Sequence, residues 1–92
     1  MAESLRLDKF LWFARIVKTR AIARKMAETG RIRIAGRVAD RAHAAVRAGD
    51  VLSFARRGRV RVLKIEALPL RRGPPAEARS LYSELTSEAG GD

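Results

Sequence analysis

Between residues 15 and 37 the chain reads RIVKTRAIARKMAETGRIRIAGR. Arginine and lysine recur through the stretch, interleaved with apolar residues. A guanidinium presents a planar fork of donors that matches phosphate bidentately and stacks on bases, so this density suits the gripping of a polyanion. Arg20 and Arg24 stand four apart, where like charges weaken a helix by about 0.2–0.5 kcal/mol. A phosphate lying between them would remove that repulsion. Thr19 precedes Arg20 with a hydroxyl suited to cap a helix starting there and to touch a phosphate, since the free N–H groups of a helix start favour anions. Other chemistry-bearing residues offer little. His43, the only histidine, sits in RAHAAVR with no cysteine in the chain and no serine dyad or carboxylate pair beside it, and reads as a loop or surface residue. Asp8 and Asp50 fit a helix cap and a turn better than metal ligation. The glycines of GRIRIAG form no phosphate-cradling loop. No catalytic residue, metal site or cofactor is expected.

The overall balance agrees. The 92 residues carry a formal charge of +10, and residues 1–75 hold nineteen Lys or Arg against six Asp or Glu. Residues 76–92 hold one Arg against four acids. Sixteen of the twenty cations are arginine. Such a body repels itself unless a polyanion or counterions screen it. Charge alone points first to nucleic acid and second to an anionic membrane surface. No early apolar run has the length of a signal-peptide core or a membrane span, and the absence of cysteine fits a reducing compartment, so a cytoplasmic protein is expected.

Ninety-two residues allow one domain. A chain this short buries roughly 60–65% of the surface exposed when it is unfolded. Asp8 reads as the N-cap of a first helix running to about Val17, with Leu7 and Trp12 placed for a hydrophobic staple. Leu7, Phe10, Phe13, Ala14 and Val17 share its inner side, leaving Asp8, Trp12 and Arg15 opposite and Lys9 and Lys18 on the flanks. A second helix runs from Arg20 to about Thr29, buries Ile22, Ala23, Met26 and Ala27, and ends at Gly30. The period then changes to two: Ile32 and Ile34 point inward, Arg31 and Arg33 outward. AG at 35–36 is a tight turn, and strands follow at Val51–Phe54 and Val60–Ile65, joined by RRGR. The inward positions of the last strand change parity near Leu63, which suggests a bulge or a strand covered on both faces. LPLRRGPP breaks regular structure. Ala78, Leu81, Tyr82 and Leu85 then fall at helical spacing, and the end is small, acidic and expected to be disordered. Trp12 has two readings: it stacks on an unpaired base, or Leu81, Tyr82 or Leu85 covers it.

One helix with a charged face is ordinarily just solvated. Three consecutive elements with the same unbalanced sign make a binding surface, built from Lys9, Arg15, Lys18, Thr19, Arg20, Arg24, Arg31 and Arg33. The order of these signals, RLD before the first helix, KTR opening the second, a glycine stop, an alternating strand and turn, then AGDVLSF, resembles the S4-type RNA-binding domain, or αL motif. The likeness covers about residues 5–66. RLDKFLWFARIVKTR and the later RRGPPAEARSLYSEL are most similar to the small bacterial ribosome-associated heat-shock protein 15 family, which extends it to about residue 85. The resemblance implies an α+β fold: two N-terminal helices packed on a small antiparallel sheet, a linker over 67–75, a short C-terminal helix over 76–86 and an acidic tail over 87–92. It implies binding to structured RNA, specifically ribosomal RNA or a large ribosomal subunit still carrying peptidyl-tRNA. By matching position it adds Arg6 and Arg37 to the contacting residues. The familiar relative has a longer basic C-terminal extension, where this sequence ends in acids. The choice of RNA over DNA comes from this resemblance.

The expectation is therefore a non-enzymatic, monomeric RNA-binding protein with no membrane partner and no small-molecule substrate. The rival is an adaptor whose basic face binds an acidic protein or an RNA-modifying enzyme.

Overall fold

The computed structural model describes residues 3–56 and 58–85. Strand β1 (Leu5–Arg6) leads into helix α1 (Leu7–Phe13), followed by α2 (Arg20–Glu28), β2 (Ile32–Ile34), β3 (Arg37–Ala39), β4 (Ala45–Val46), β5 (Val51–Arg56), β6 (Arg59–Ile65), α3 (Pro75–Arg79) and β7 (Tyr82–Glu84). The main sheet is antiparallel in the order β3-β2-β5-β6-β7, and β1 and β4 form a separate two-stranded ladder. The α+β class expected from the sequence is the one observed. Leu7, Phe10 and Leu11 of α1, Ala23 and Ala27 of α2, and Ile32, Leu52, Leu63 and Ile65 of the sheet are fully buried in one shared core.

Helix α1 departs from expectation at both ends. Asp8 is not its cap: the helix begins one residue earlier, and Asp8 is its second residue. The reason is tertiary. The N–H groups of Leu7 and Asp8 donate to the carbonyls of Ala44 (2.8 Å) and Ala42 (3.2 Å), so the helix start needs no side-chain cap. The helix stops at Phe13 instead of Val17, because Arg15 takes a left-handed backbone with φ 58°. Arg15 N–H donates to Trp12 O at 3.1 Å and Ile16 N–H to Leu11 O at 3.0 Å, the paired bonds of a Schellman ending with arginine where glycine is usual. This early stop sends Ile16 and Val17 into the core.

Helix α2 starts and ends where its sequence says. Thr19 Oγ1 accepts from Ile22 N–H at 3.1 Å, and Gly30, just past the C-cap Thr29, has φ +73°. Ala35 and Gly36 both have positive φ, forming the tight turn between β2 and β3.

Strand β6 contains no bulge. Its pairing with β5 is continuous from Lys64 opposite Val51 to Arg59 opposite Arg56. The apparent parity change arises because Arg61 holds the position in line with Leu63 and Ile65, while Val60 lies on the other face, 58% exposed. The expected helix over 76–86 is also shorter. α3 ends at Arg79, and the chain re-enters the sheet as β7, pairing Tyr82 with Ile65 and Glu84 with Leu63. The β6 edge offers partners to backbone groups that a one-turn helix leaves unsatisfied. Leu81 still reaches the core, and Ala78 is buried. The acidic tail over 87–92 lies outside the described residues.

Candidate nucleic-acid interface

The two helices meet at a buried carboxylate. The Asp8 side chain is wholly enclosed, yet its partners come from three directions. Arg6 donates from Nε to Oδ1 and from Nη2 to Oδ2, both at 3.1 Å, and the Lys9 N–H donates to Oδ1 at 2.8 Å. Arg20 Nε, at the start of α2, stands 3.6 Å from Oδ2. Burying a carboxylate is tolerable only when it is paired and hydrogen-bonded, and this one is both. The two arginines remain 44% and 39% exposed. Arg6 is therefore held through one edge of its guanidinium and Arg20 by a longer ion pair, and both remain partly open to solvent. Arg24 joins them in the same open concavity. Three guanidiniums face outward over one sequestered carboxylate.

A second concentration lies where the α1–α2 loop faces the β5–β6 hairpin. An open cleft of about 570 Å³ is lined by Arg15, Lys18, Arg56, Arg59, Arg61 and Arg72, with Ile16 and Val17 as its apolar lining. Small-molecule pockets are mostly apolar; a lining this cationic suits a polyanion. Several of the cations are anchored. Arg15 Nε donates to Gly73 O at 2.7 Å, and Arg56 Nη1 lies 3.4 Å from Met26 Sδ. Arg61 binds Glu84 with two bonds, of 3.1 and 2.8 Å, and sits 5.8 Å from the Phe54 ring centroid. Its pKa is raised, chiefly by the Glu84 hydrogen bond, against the opposing effect of partial burial and with Tyr82 adding to the rise. Arg72 donates from Nε to Trp12 O at 3.1 Å and places its guanidinium 5.4 Å from the indole centroid. Trp12 is thus capped by a cation from the connecting segment, while its indole packs against the core cluster that includes Leu81.

The S4 domain model matches residues 5–52. The chain belongs to the S4 domain family. Heat shock protein 15 of Escherichia coli K12 is 36% identical over 83 residues, covering 90% of this chain and 62% of that protein. The chain therefore spans about three-fifths of the length of that relative. The RQC P-site tRNA stabilizing factor of Listeria innocua is 34% identical, covering 96% of this chain and 94% of its own length. A trimeric structure of Vibrio cholerae heat shock protein 15 superposes with a TM-score of 0.83 at 34% identity, covering 95% of this chain and 86% of that one.

The S4 match contains all ten residues singled out from sequence, but the fold distributes them. Arg6, Arg20 and Arg24 share the helical concavity, beside the capping Thr19. Arg15 and Lys18 belong to the cleft. Arg31 lies near Arg56 and Met26, and also lines a shallow surface with Arg33 beside Phe54. Lys9 is half-buried on α1. Arg37 stands apart, in a concavity that also contains Asp40 and Asp50. Four cations that the sequence reading passed over, Arg56, Arg59, Arg61 and Arg72, lie beyond the S4 match and yet complete the cleft. The signal for Arg56, Arg59 and Arg72 was the pair of basic clusters RRGR and LRRG, which read as turn and linker, while Arg61 lies within the strand VRVLKI. His43 is exposed, and among the described residues no three His, Cys, Asp or Glu side chains gather as a metal site. Among the described residues no helix is long and apolar enough to cross a membrane.

Proposed function

We propose that this chain is a non-enzymatic RNA-binding protein that docks its α1–α2 face on large-subunit ribosomal RNA. The observation that carries the reading is the Asp8 joint, which fixes Arg6 and Arg20 from two elements and leaves them, with Arg24, facing one concavity. Pre-fixed guanidiniums lose less freedom on meeting phosphates than flexible ones do. The name of one relative, the P-site tRNA stabilizing factor of Listeria innocua, supports a ribosomal setting. Carried over to this chain, it favours a subunit in which tRNA still occupies the P site.

The test is binding of purified large-subunit ribosomal RNA. Arg24→Glu combined with Arg20→Gln is the informative variant, because Arg20→Glu would set a carboxylate against buried Asp8. Losing two charge-assisted contacts at about 1.5 kcal/mol each weakens binding roughly 100-fold. The circular dichroism should stay native. Unchanged affinity would overturn the reading. Sedimentation of the RNA-bound protein decides between the monomer expected from sequence and the trimeric state of the Vibrio cholerae relative.

A further inference from the structure

We infer that the cleft between the α1–α2 loop and the β5–β6 hairpin is a second RNA-backbone site, in which Arg56, Arg59, Arg61 and Arg72 grip consecutive phosphates of a strand already held by α1 and α2. The inference rests on the RNA-binding reading and goes beyond it by assigning residues outside the S4 match.

Three observations carry it. First, Arg56 and Arg59 are directly opposed in the β5–β6 register, an arrangement in which like charges repel. Arg61 follows two residues along β6 on the same face as Arg59. Natural hairpins seldom place like charges across from each other without something to neutralise them. Second, the guanidiniums of Arg61 and Arg72 are oriented by contacts that leave them charged: Arg61 on Glu84 and over Phe54, Arg72 on the Trp12 carbonyl and ring. Arg15 is fixed to Gly73 O on the facing wall. Third, among the described residues six cations and no carboxylate line the cleft, and Glu84, bonded to Arg61, offsets only one of the six. One phosphate cannot balance that charge. A run of several can.

The position of the cleft selects a nucleic-acid strand. Lys18 lines the cleft and Arg20 the helical concavity, with only Thr19 between them in the chain. A backbone leaving Arg20 and Arg24 therefore meets Lys18 and then the hairpin cations without leaving the protein surface.

The experiment compares Arg56→Gln/Arg59→Gln with the helical variant above, measuring affinity for large-subunit ribosomal RNA across a salt series. The hairpin double variant should bind roughly 100-fold more weakly, as expected for two lost charge-assisted contacts. Its log–log salt slope should be shallower by about 1.4–1.8, the equivalent of two phosphate contacts. Arg59→Gln alone, at an exposed position, should lose about half of that change in slope. If the hairpin variants match wild type while the helical variant loses binding, the cleft assignment fails and the RNA-binding reading stands. If neither variant changes binding, both fail. Trp12, the only tryptophan, supplies the other arm. Its emission should change when oligouridine is added, through displacement of the Arg72 contact. A response to inorganic polyphosphate with none to oligouridine would reassign the cleft to free polyphosphate and overturn the inference.

Discussion

Replacing Arg15 tests whether function or folding placed an arginine at a left-handed position. Its φ of 58° lies in the region where an L-residue with a Cβ costs about 1–2 kcal/mol. Arg15→Gly removes that cost but adds about 0.4–1 kcal/mol of unfolded-chain entropy. Arg15→Ala keeps the cost. Both lose the 2.7 Å bond from Nε to Gly73 O, and because the Arg15 side chain is exposed that loss is about 1 kcal/mol. The glycine variant should therefore be more stable than the alanine variant by about 0.5–1 kcal/mol, the reverse of the order in a helix interior. For a chain of this size the gap is about 2–8 °C in Tm. Urea titration of the three proteins side by side measures it. Binding should behave differently: both variants remove the same guanidinium from the cleft, so both should lose RNA affinity equally, about tenfold. If alanine proves as stable as glycine, the left-handed position carries no cost and the argument for a functionally retained arginine collapses.

Two further substitutions probe the scaffold. Ala35 and Gly36 form a two-residue turn with φ of 51° and 85°, the geometry that prefers Asn-Gly, so Ala35→Asn should raise stability by about 0.5–1 kcal/mol in thermal denaturation. Asp8→Asn keeps the shape of the buried side chain but turns an amide NH₂ toward one of its arginines. Because Arg6 and Arg20 are more than a third exposed, water recovers part of the loss, and about 1–2 kcal/mol of stability should disappear on urea unfolding. RNA affinity of the same variant should fall several-fold as Arg6 and Arg20 lose their fixed orientation. A variant with full stability and full affinity would refute the role given to the joint.

The sequence made legible the features governed by neighbours in the chain. Thr19 caps α2, Gly30 ends it, the alternation of Ile32 and Ile34 marks β2, and the AG turn follows. What it hid depends on residues far away. The start of α1 is satisfied by carbonyls of Ala42 and Ala44, so Asp8 was free to become an ion-pair joint instead of a cap. The cover of Trp12 comes from Arg72, sixty positions later in the chain. The apolar spacing from Ala78 to Leu85 fits a helix, but the open edge of β6 draws Tyr82–Glu84 into the sheet.

Beyond Asp8 and the segment from Ala78 to Leu85, several positions that break a local rule hold arginine. Arg15 sits where the local code gives glycine, Arg61 holds a strand position where the pattern asks for an aliphatic residue, and Arg72 lies in a stretch that looked like a spacer. Arg56 faces Arg59 where opposite charges would be more stable. Natural chains break local rules most often at functional sites, because there the folding optimum and the binding optimum differ. Arg15, Arg56, Arg59, Arg61 and Arg72 all line the same cleft. Departures of independent local kinds, a backbone angle, a cross-strand pair and a strand face, would be scattered if each were an accident of this sequence. Their convergence on one concavity is what a site selected for gripping phosphates would produce.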